Sequence, residues 1–324
     1  MKILVTGAAG YIGSFMARRL LDENFEVVIA DSLERGHKEN IDSRAVFMQG
    51  DLKDTSFVES IFSGHSFDAV IHFAAYISMK ESMDNPYIYF NNNILASLNI
   101  LEAMRNHKNN NIIFSSTAGV YGNPITIPIP ENHVKHPENP YGESKLMVEK
   151  ILSWYGQLHN ISSVCLRYFN AAGADLEGKF GEDHLPESHI IPNIISSVIN
   201  NKPFMLYGTD YKTPDGTCIR DYIHVLDLVE AHVLAMKKLQ QTPGTFAYNV
   251  GTGKGFSNKE VIDMVKKVSG IQVEVTEAPR RPGDADMLIA DVTNITNDLG
   301  FSPKYSDLGT IVTSAWKWHS RKQK

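Results

Sequence analysis

Cysteine is nearly missing from this sequence, with two among 324 residues, Cys165 and Cys218. Two thiols cannot staple a chain of this size, and their separation is not that of a metal-ligand pair. No disulfide framework is expected, no metal site, and a reducing, cytoplasmic compartment fits best. Long apolar runs are missing too: His72 interrupts the most apolar stretch, 69–75, and none reaches the ~18 residues of a membrane span. The opening MKILVTGAAG has no signal-peptide core, because glycines follow after only a short apolar strand. Nor is there a basic excess. Lys and Arg number 31 against 37 Asp and Glu, a net charge of −6. That excludes a nucleic-acid binder working through a broad positive field, but leaves room for a local cationic pocket around one anionic ligand. Internal repeats and low-complexity segments are also lacking.

What remains is a chain of ordinary globular composition, 43% hydrophobic and 21% charged, long enough for about two domains. Its first half repeats a short apolar, β-branched run, a glycine or polar break, and a helical stretch. The runs at Lys2–Thr6, Glu26–Ala30, Ala45–Gln49, Ala69–Phe73, Ile112–Ser115 and Val164–Tyr168 read as strands. They are continuously apolar rather than alternating, as strands buried on both faces of a parallel sheet are. Strand–helix alternation of this kind predicts an α/β fold with a Rossmann-type doubly wound parallel sheet. From Asn170 to Asp221 the chain turns loop-rich, with segments such as GEDHLPESH and GTDYKTPDGT. Loops this long in a compact protein are usually functional, and the interleaved aromatics argue against disorder.

Thr6-Gly7-Ala8-Ala9-Gly10-Tyr11-Ile12-Gly13 follows the first strand and opens the first helix. Its GxxGxxG spacing is a variant of the dinucleotide fingerprint. The glycines allow a tight turn, a backbone approach to pyrophosphate and close helix–strand packing. The helix N-terminus then offers free N–H groups and a positive dipole end to phosphate. Asp31 closes the second strand, where a carboxylate accepts hydrogen bonds from an adenosine ribose and repels a 2′-phosphate, favouring NAD over NADP. Asp51, after the third strand, is a weaker candidate on the adenine side.

Tyr141 and Lys145 stand four residues apart in NPYGESK, with Asn139 as a helix N-cap and Pro140 in the first turn. The spacing puts both side chains on one helix face. A phenol of pKa ~10 is a poor base at neutral pH. A neighbouring ammonium and a cationic nicotinamide, each ~6 Å away at an effective dielectric of ~20, would each favour phenolate by about 2.8 kcal/mol, roughly two pKa units apiece. Together they would bring Tyr141 into the range of a physiological general base. The strand before this helix ends in Ser115-Ser116-Thr117, whose hydroxyls could bind a substrate oxygen or merely cap a turn.

With these residues in view, the sequence resembles the extended short-chain dehydrogenase/reductase superfamily and, within it, the UDP-sugar 4-epimerases. The resemblance runs over essentially the whole chain through TGAAGYIGS, VIHFAA, IFSSTAGVYG, NPYGESKLMVE, LRYFNAAGA, GEDHLPESHIIP, YGTDYKTPDGTCIRDYIHVLDL, YNVGTGKGFSNKEV and RRPGDAD. It implies a tightly held NAD and reversible hydride transfer at sugar C4 through a 4-keto sugar, interconverting UDP-galactose and UDP-glucose. Catalysis would rest on Tyr141, Lys145 and Thr117. Gly7, Gly10, Tyr11, Ile12, Gly13, Asp31, Asp51, Leu52, Phe73, Ala74, Ala75, Asn92, Asn93, Ser115 and Tyr168 match cofactor segments, along with Tyr141 and Lys145. Asn170, His189, Ile190, Tyr207, Arg220, Arg281 and Asp284 match UDP-sugar segments, with Thr117. Arginine also suits a diphosphate on chemical grounds.

The same resemblance implies a cofactor domain over 1–170 and a smaller α/β UDP-sugar domain over 171–324, with segments near 222–251 crossing back to the first. It implies a homodimer built on helices near Asn92–Met104 and Ser144–Tyr155, and neither nucleic-acid nor membrane partners. Ile77 stands where some members carry a cofactor-contacting lysine, and Lys80 where they carry glycine. Leu288 occupies the gate that sets room for N-acetylated sugars, so a UDP-GlcNAc/UDP-GalNAc or other UDP-sugar 4-epimerase is the alternative. The related dehydratases and decarboxylases usually carry an acid directly after the hydroxyl residue; here Ala118 and Gly119 follow Thr117. A non-catalytic NAD-sensing module would have no need of Tyr141 and Lys145.

Overall fold

A computed structural model describes residues 1–321, apart from 185 and 282. The strands are β1 (Lys2–Thr6), β2 (Glu26–Asp31), β3 (Val46–Gln49), β4 (Ala69–His72), β5 (Asn111–Thr117), β6 (Ser162–Tyr168), β7 (Asn170–Ala172), β8 (Phe204–Tyr207), β9 (Ile219–Arg220), β10 (Tyr222–His224), β11 (Thr245–Val250), β12 (Phe256–Ser257), β13 (Val275–Ala278) and β14 (Met287–Leu288). The helices are α1 (Tyr11–Asp22), α2 (Thr55–Gly64), α3 (Met79–Asp84), α4 (Pro86–Asn106), α5 (Pro140–His159), α6 (Ile190–Ile199), α7 (Val225–Gln241), α8 (Asn258–Ser269), α9 (Thr293–Leu299) and α10 (Leu308–Arg321).

Seven strands form one sheet in the order β11-β6-β5-β4-β1-β2-β3, every pairing parallel. This is the doubly wound fold that the continuous apolar runs imply. Because side chains alternate across a strand, each run feeds two cores. Ile3, Val5, Val27, Ile29, Ile71, Ile113, Val164 and Leu166 face one layer, which holds α1 and α7. Leu4, Val28, Ala30, Val70, Ile112, Phe114 and Cys165 face the other, against α2, α4 and α5. Strand order reverses between β1 and β4, so the turns after these strands form the crevice where ligands bind such sheets.

The loop-rich half builds a second core, where α6, α8 and α10 pack through Ile194, Ile195, Val261, Val265, Ile311 and Val312. Around it lie small strand groups: β10 with β7, β13 with β8, and β9 between β12 and β14. The two halves share residues. Strand β11 pairs with β6 in the main sheet, and Val225, Val233, Met236, Tyr248 and Phe301 belong to the same core as Ile3 and Val5. The Tyr11 hydroxyl, at the start of α1, donates to the Gly173 carbonyl at 2.6 Å. Cys165 and Cys218 are both buried and free.

Candidate active site

The cradle after β1 is made by close backbone approach. Gly7 has φ +72°, and a Cβ there would lie 2.6 Å from the Ala74 nitrogen in the turn after β4. A Cβ on Gly13 would lie 2.4 Å from the Gly7 carbonyl oxygen. These two glycines press the opening of α1 against the crevice. Gly10 is the N-cap of α1 and supplies no side-chain acceptor, whereas Asp54, Asn139 and Ser257 cap α2, α5 and α8 with their side chains. The first N–H groups of α1 therefore have no side-chain cap to compete with an incoming phosphate. These residues fit a dinucleotide.

Asp31 sits at the end of β2 and accepts hydrogen bonds from Ala9 N–H and Leu33 N–H, both at 2.9 Å. Burial raises its pKa while those two bonds pull it down. It thus pins the glycine loop, and each oxygen keeps a lone pair for a ribose. Asp51, Lys53 and Asn92 form a polar cluster after β3: Lys53 Nζ lies 3.2 Å from Asp51 and donates to Asn92 Oδ1 at 3.2 Å. Leu52 is buried. Asn93 is also buried, and its amide is taken up by the protein. Its Nδ2 donates to Ser144 Oγ and the Tyr76 carbonyl, and its Oδ1 accepts Tyr76 N–H. It ties α5 to the turn after β4, so its observed part is to position that turn. Phe73 is buried with its ring 4.8 Å from His232, and Ala74 and Ala75 lie half-buried after it. His72 is a satisfied core histidine, bonded to Thr6 Oγ1 and Ser97 Oγ.

The chemical groups converge where β5 and β6 meet the start of α5. Asn139 caps the helix by accepting Gly142 N–H at 2.9 Å, which fixes the turn that carries Tyr141 and, one turn on, Lys145. Lys145 Nζ is buried and donates to the Ser115 carbonyl at 2.7 Å. One of its three protons is so engaged, leaving donors for a sugar or ribose hydroxyl. Ser115 Oγ pairs with the Tyr168 hydroxyl at 2.5 Å. Thr117 Oγ1 accepts Gly119 N–H at 3.1 Å, which leaves its own proton free to donate. That proton can be directed to the Tyr141 oxygen, and the bond holds the Tyr141 pKa partly down.

Burial is the larger effect on both key groups. It pushes Tyr141 up to about 12 and Lys145 down to about 7. The sequence predicts that Lys145 and a cationic nicotinamide together ready Tyr141; in the protein without cofactor, burial outweighs the lowering that remains. The low-dielectric site penalises both charges, and a further positive charge is needed to favour phenolate.

Among the residues expected to bind the UDP-sugar, Arg220 in β9 donates to the carbonyls of Ile219 and Ala285 at 3.0 and 2.9 Å and lies 3.7 Å from Asp284. Arg281 lies over the Tyr207 ring at 4.2 Å. The register of β14 on β9 sets Leu288 beside Arg220. Leu288 also packs on the cluster of Ala118, Val120, Tyr121, Leu146 and Phe169 that follows Thr117. Asn170 begins β7, its N–H donating to the Asp221 carbonyl at 3.0 Å. His189 caps α6, and Ile190 is its first residue.

Sequence reasoning missed the support behind Thr117. Glu149 of α5 accepts from Ser116 Oγ at 2.5 Å and takes a two-pronged bond from Arg167 of β6, the pair being buried. Arg167 continues to the Tyr121 hydroxyl and the Glu131 carbonyl. The acid four residues beyond Lys145 was the available signal, but its partner lies on another strand.

The family model described as GDP-mannose 4,6 dehydratase matches residues 4–311. The UDP-glucose 4-epimerase of Lactobacillus helveticus is 45% identical over 320 residues, 98% of this chain and 97% of that protein. Among solved structures, UDP-glucose 4-epimerase from Brucella ovis in complex with NAD has a TM-score of 0.94 at 41% identity, covering 97% of each chain. The UDP-Glc/GlcNAc 4-epimerase from Campylobacter jejuni has a TM-score of 0.87 at 40% identity, covering 99% of each. Identity above two-fifths, sustained from end to end on a backbone that superposes throughout, makes this chain a member of the UDP-glucose 4-epimerase family.

Proposed function

We propose that the protein interconverts UDP-galactose and UDP-glucose, with NAD as a retained cofactor. When bound, NAD supplies the hydride acceptor and donor at sugar C4, so that net chemistry is redox-neutral. The chain supplies the proton path. Tyr141 takes the proton of the C4 hydroxyl, Thr117 donates to the same oxygen or to the tyrosine, and Lys145 stabilises the charge that develops between them. Arg220 and Arg281 hold the diphosphate, and the keto sugar turns about its link to it to present either face. The observation that carries this reading is the convergence of Thr117, Tyr141 and Lys145 on the carboxyl ends of β5 and β6, in the same sheet as the glycine cradle.

Purified protein given UDP-galactose forms UDP-glucose without stoichiometric build-up of NADH. Tyr141→Phe retains UDP-sugar binding and loses about 10²–10⁴-fold in kcat, the span of a positioned general base. Inactivity of protein that demonstrably contains NAD overturns the assignment. UDP-GlcNAc/UDP-GalNAc epimerisation is the second reading. Leu288 favours it over a fully closed gate, being smaller than an aromatic residue at the position beside Arg220. Running UDP-GalNAc beside UDP-galactose separates the two.

The working unit we infer is a homodimer, with the cytoplasm as its location. Among the described residues no helix is long and apolar enough to cross a membrane. Met147, Trp154 and Leu158 recur at helical spacing on α5, with Trp154 61% and Leu158 66% exposed, and Leu95 is exposed on the adjoining α4. Sedimentation of the wild type as a dimer and of Trp154→Glu as a monomer is the expected result.

A further inference from the structure

The segment GEDHLPESH carries three side chains, Glu182, His184 and Glu187, to which the proposed proton path and UDP-sugar site give no part. We propose that Glu182, His184, Glu187 and His189 form a binding site for one divalent transition-metal cation of the zinc class. Each offers one ligand atom, and all four atoms lie within 4.8 Å of one another. A tetrahedral zinc centre with ligands ~2.0–2.1 Å from the metal sets those atoms ~3.3 Å apart. Modest side-chain rotation therefore closes the ring.

Two features distinguish this cluster from an ordinary ion-paired loop. Glu182 is 3% exposed, and Glu187 lies close enough to share a cation with it. Two carboxylates this near each other, one of them out of water, need positive charge between them, which a protonated His189 supplies in the metal-free protein and a cation would supply in its place. Only one of the two histidines is engaged as a hydrogen-bond donor. His189 Nδ1 bonds Glu182 Oε1. His184 Nδ1 lies 3.1 Å from that same oxygen, yet this buried nitrogen makes no hydrogen bond. Both imidazoles turn Nδ1 toward Glu182 Oε1, so two nitrogens and a carboxylate oxygen already lie together where a cation could replace the protons between them. A mix of two imidazole nitrogens and two carboxylate oxygens suits zinc and its neighbours better than magnesium or calcium.

The backbone already holds the site in place. Trp318 Nε1 donates to the Glu182 carbonyl at 2.8 Å, and the ring of Tyr11 meets that of His184 edge-on. Glu187 accepts Ser188 N–H and His189 N–H through Oε1, leaving Oε2 for a cation. A cation here fastens the loop to the N-terminus of α6, where His189 and Ile190 match the family's UDP-sugar segments. Its role is to organise that wall, and the proton path is untouched.

The test is the full-length, NAD-containing protein purified without a metal-affinity step, stripped with chelator and titrated with zinc chloride. Elemental analysis after gel filtration should give one zinc per chain, and cobalt(II) should give the strong visible absorption of a tetrahedral site. His184→Ala should weaken zinc by at least ~100-fold, the upper end of what even an outer-shell change costs. Glu187→Gln, a milder change on a less buried side chain, should weaken it in the same direction and decides the matter if His184→Ala fails to retain NAD. Stripping should raise KM for the UDP-sugar while kcat holds. Absence of stoichiometric zinc from the folded wild type, or zinc binding unchanged in both variants, overturns the proposal. Metal content is read independently of turnover, so failure of the epimerase assignment and failure of this site are separately visible.

Discussion

Burial moves the two central side chains in opposite directions, the Tyr141 phenol up and the Lys145 ammonium down. Lys145 is thus a residue that the cofactor-free fold carries at a cost. Its pKa falls from the ordinary 10.5 to about 7 on folding, so between those values the unfolded chain binds the extra proton and stability rises with pH. Below about 7 the penalty is complete. In cofactor-free protein, Lys145→Met should therefore raise Tm, and by more at pH ~6 than at pH ~9, while activity is lost. A variant that is destabilised equally at both pH values contradicts this. The i,i+4 pair was legible because a helix obeys local geometry. The sign of its electrostatics was not, because burial comes from residues far along the chain. The same holds for Asn93, whose amide is consumed by Tyr76 and Ser144: the asparagine was visible in sequence and its partners were not.

At the level of elements, boundaries followed patterning closely wherever a run was long enough to bury on two faces. β1 spans Lys2–Thr6 as read, and β2 extends the reading by one residue to Asp31. Two-residue strands such as β9, β12 and β14 carry no period at all; pairing with distant chain defines them. Caps were legible where side chain and turn agree. Asn139 is the case with most consequence, because it sets the first turn of the helix that carries Tyr141. Asn139→Ala should cost about 1 kcal/mol in urea unfolding, and Asn139→Gly only a few tenths. Equal losses would mean that the cap bond is not what holds this end. The Glu149–Arg167 pair joins that helix to β6 and, through Ser116, to β5. It is an element-scale device that no local window reveals.

Across the whole molecule, the chain on either side of residue 170 does not form separate folding units. Strand β6 would be left as an open edge without β11, and one face of the sheet is covered by α7 and by Tyr248, Val250 and Phe301. An isolated 1–170 fragment should bind dye that reports exposed apolar surface and lack a cooperative thermal transition. The intact chain should unfold its main sheet in a single transition. A fragment that melts sharply on its own would establish an independent domain. The crossing-back of this region could be suspected from YNVG and DYIHVLDL, but its depth could not, since parallel pairing joins residues that composition treats as unrelated.

The bond from Tyr11 to Gly173 spans 162 positions of chain. Synthesis proceeds from the amino end, so the uncapped amides of α1 leave the ribosome long before the carbonyl that latches their helix exists. Strand β11 arrives later still. A nascent chain therefore displays its glycine loop before the contacts that fix α1 and complete the sheet are available. Stable loading is then expected only once Val250 has been made, and chains truncated before Gly173 should retain less NAD on gel filtration than chains truncated after Val250.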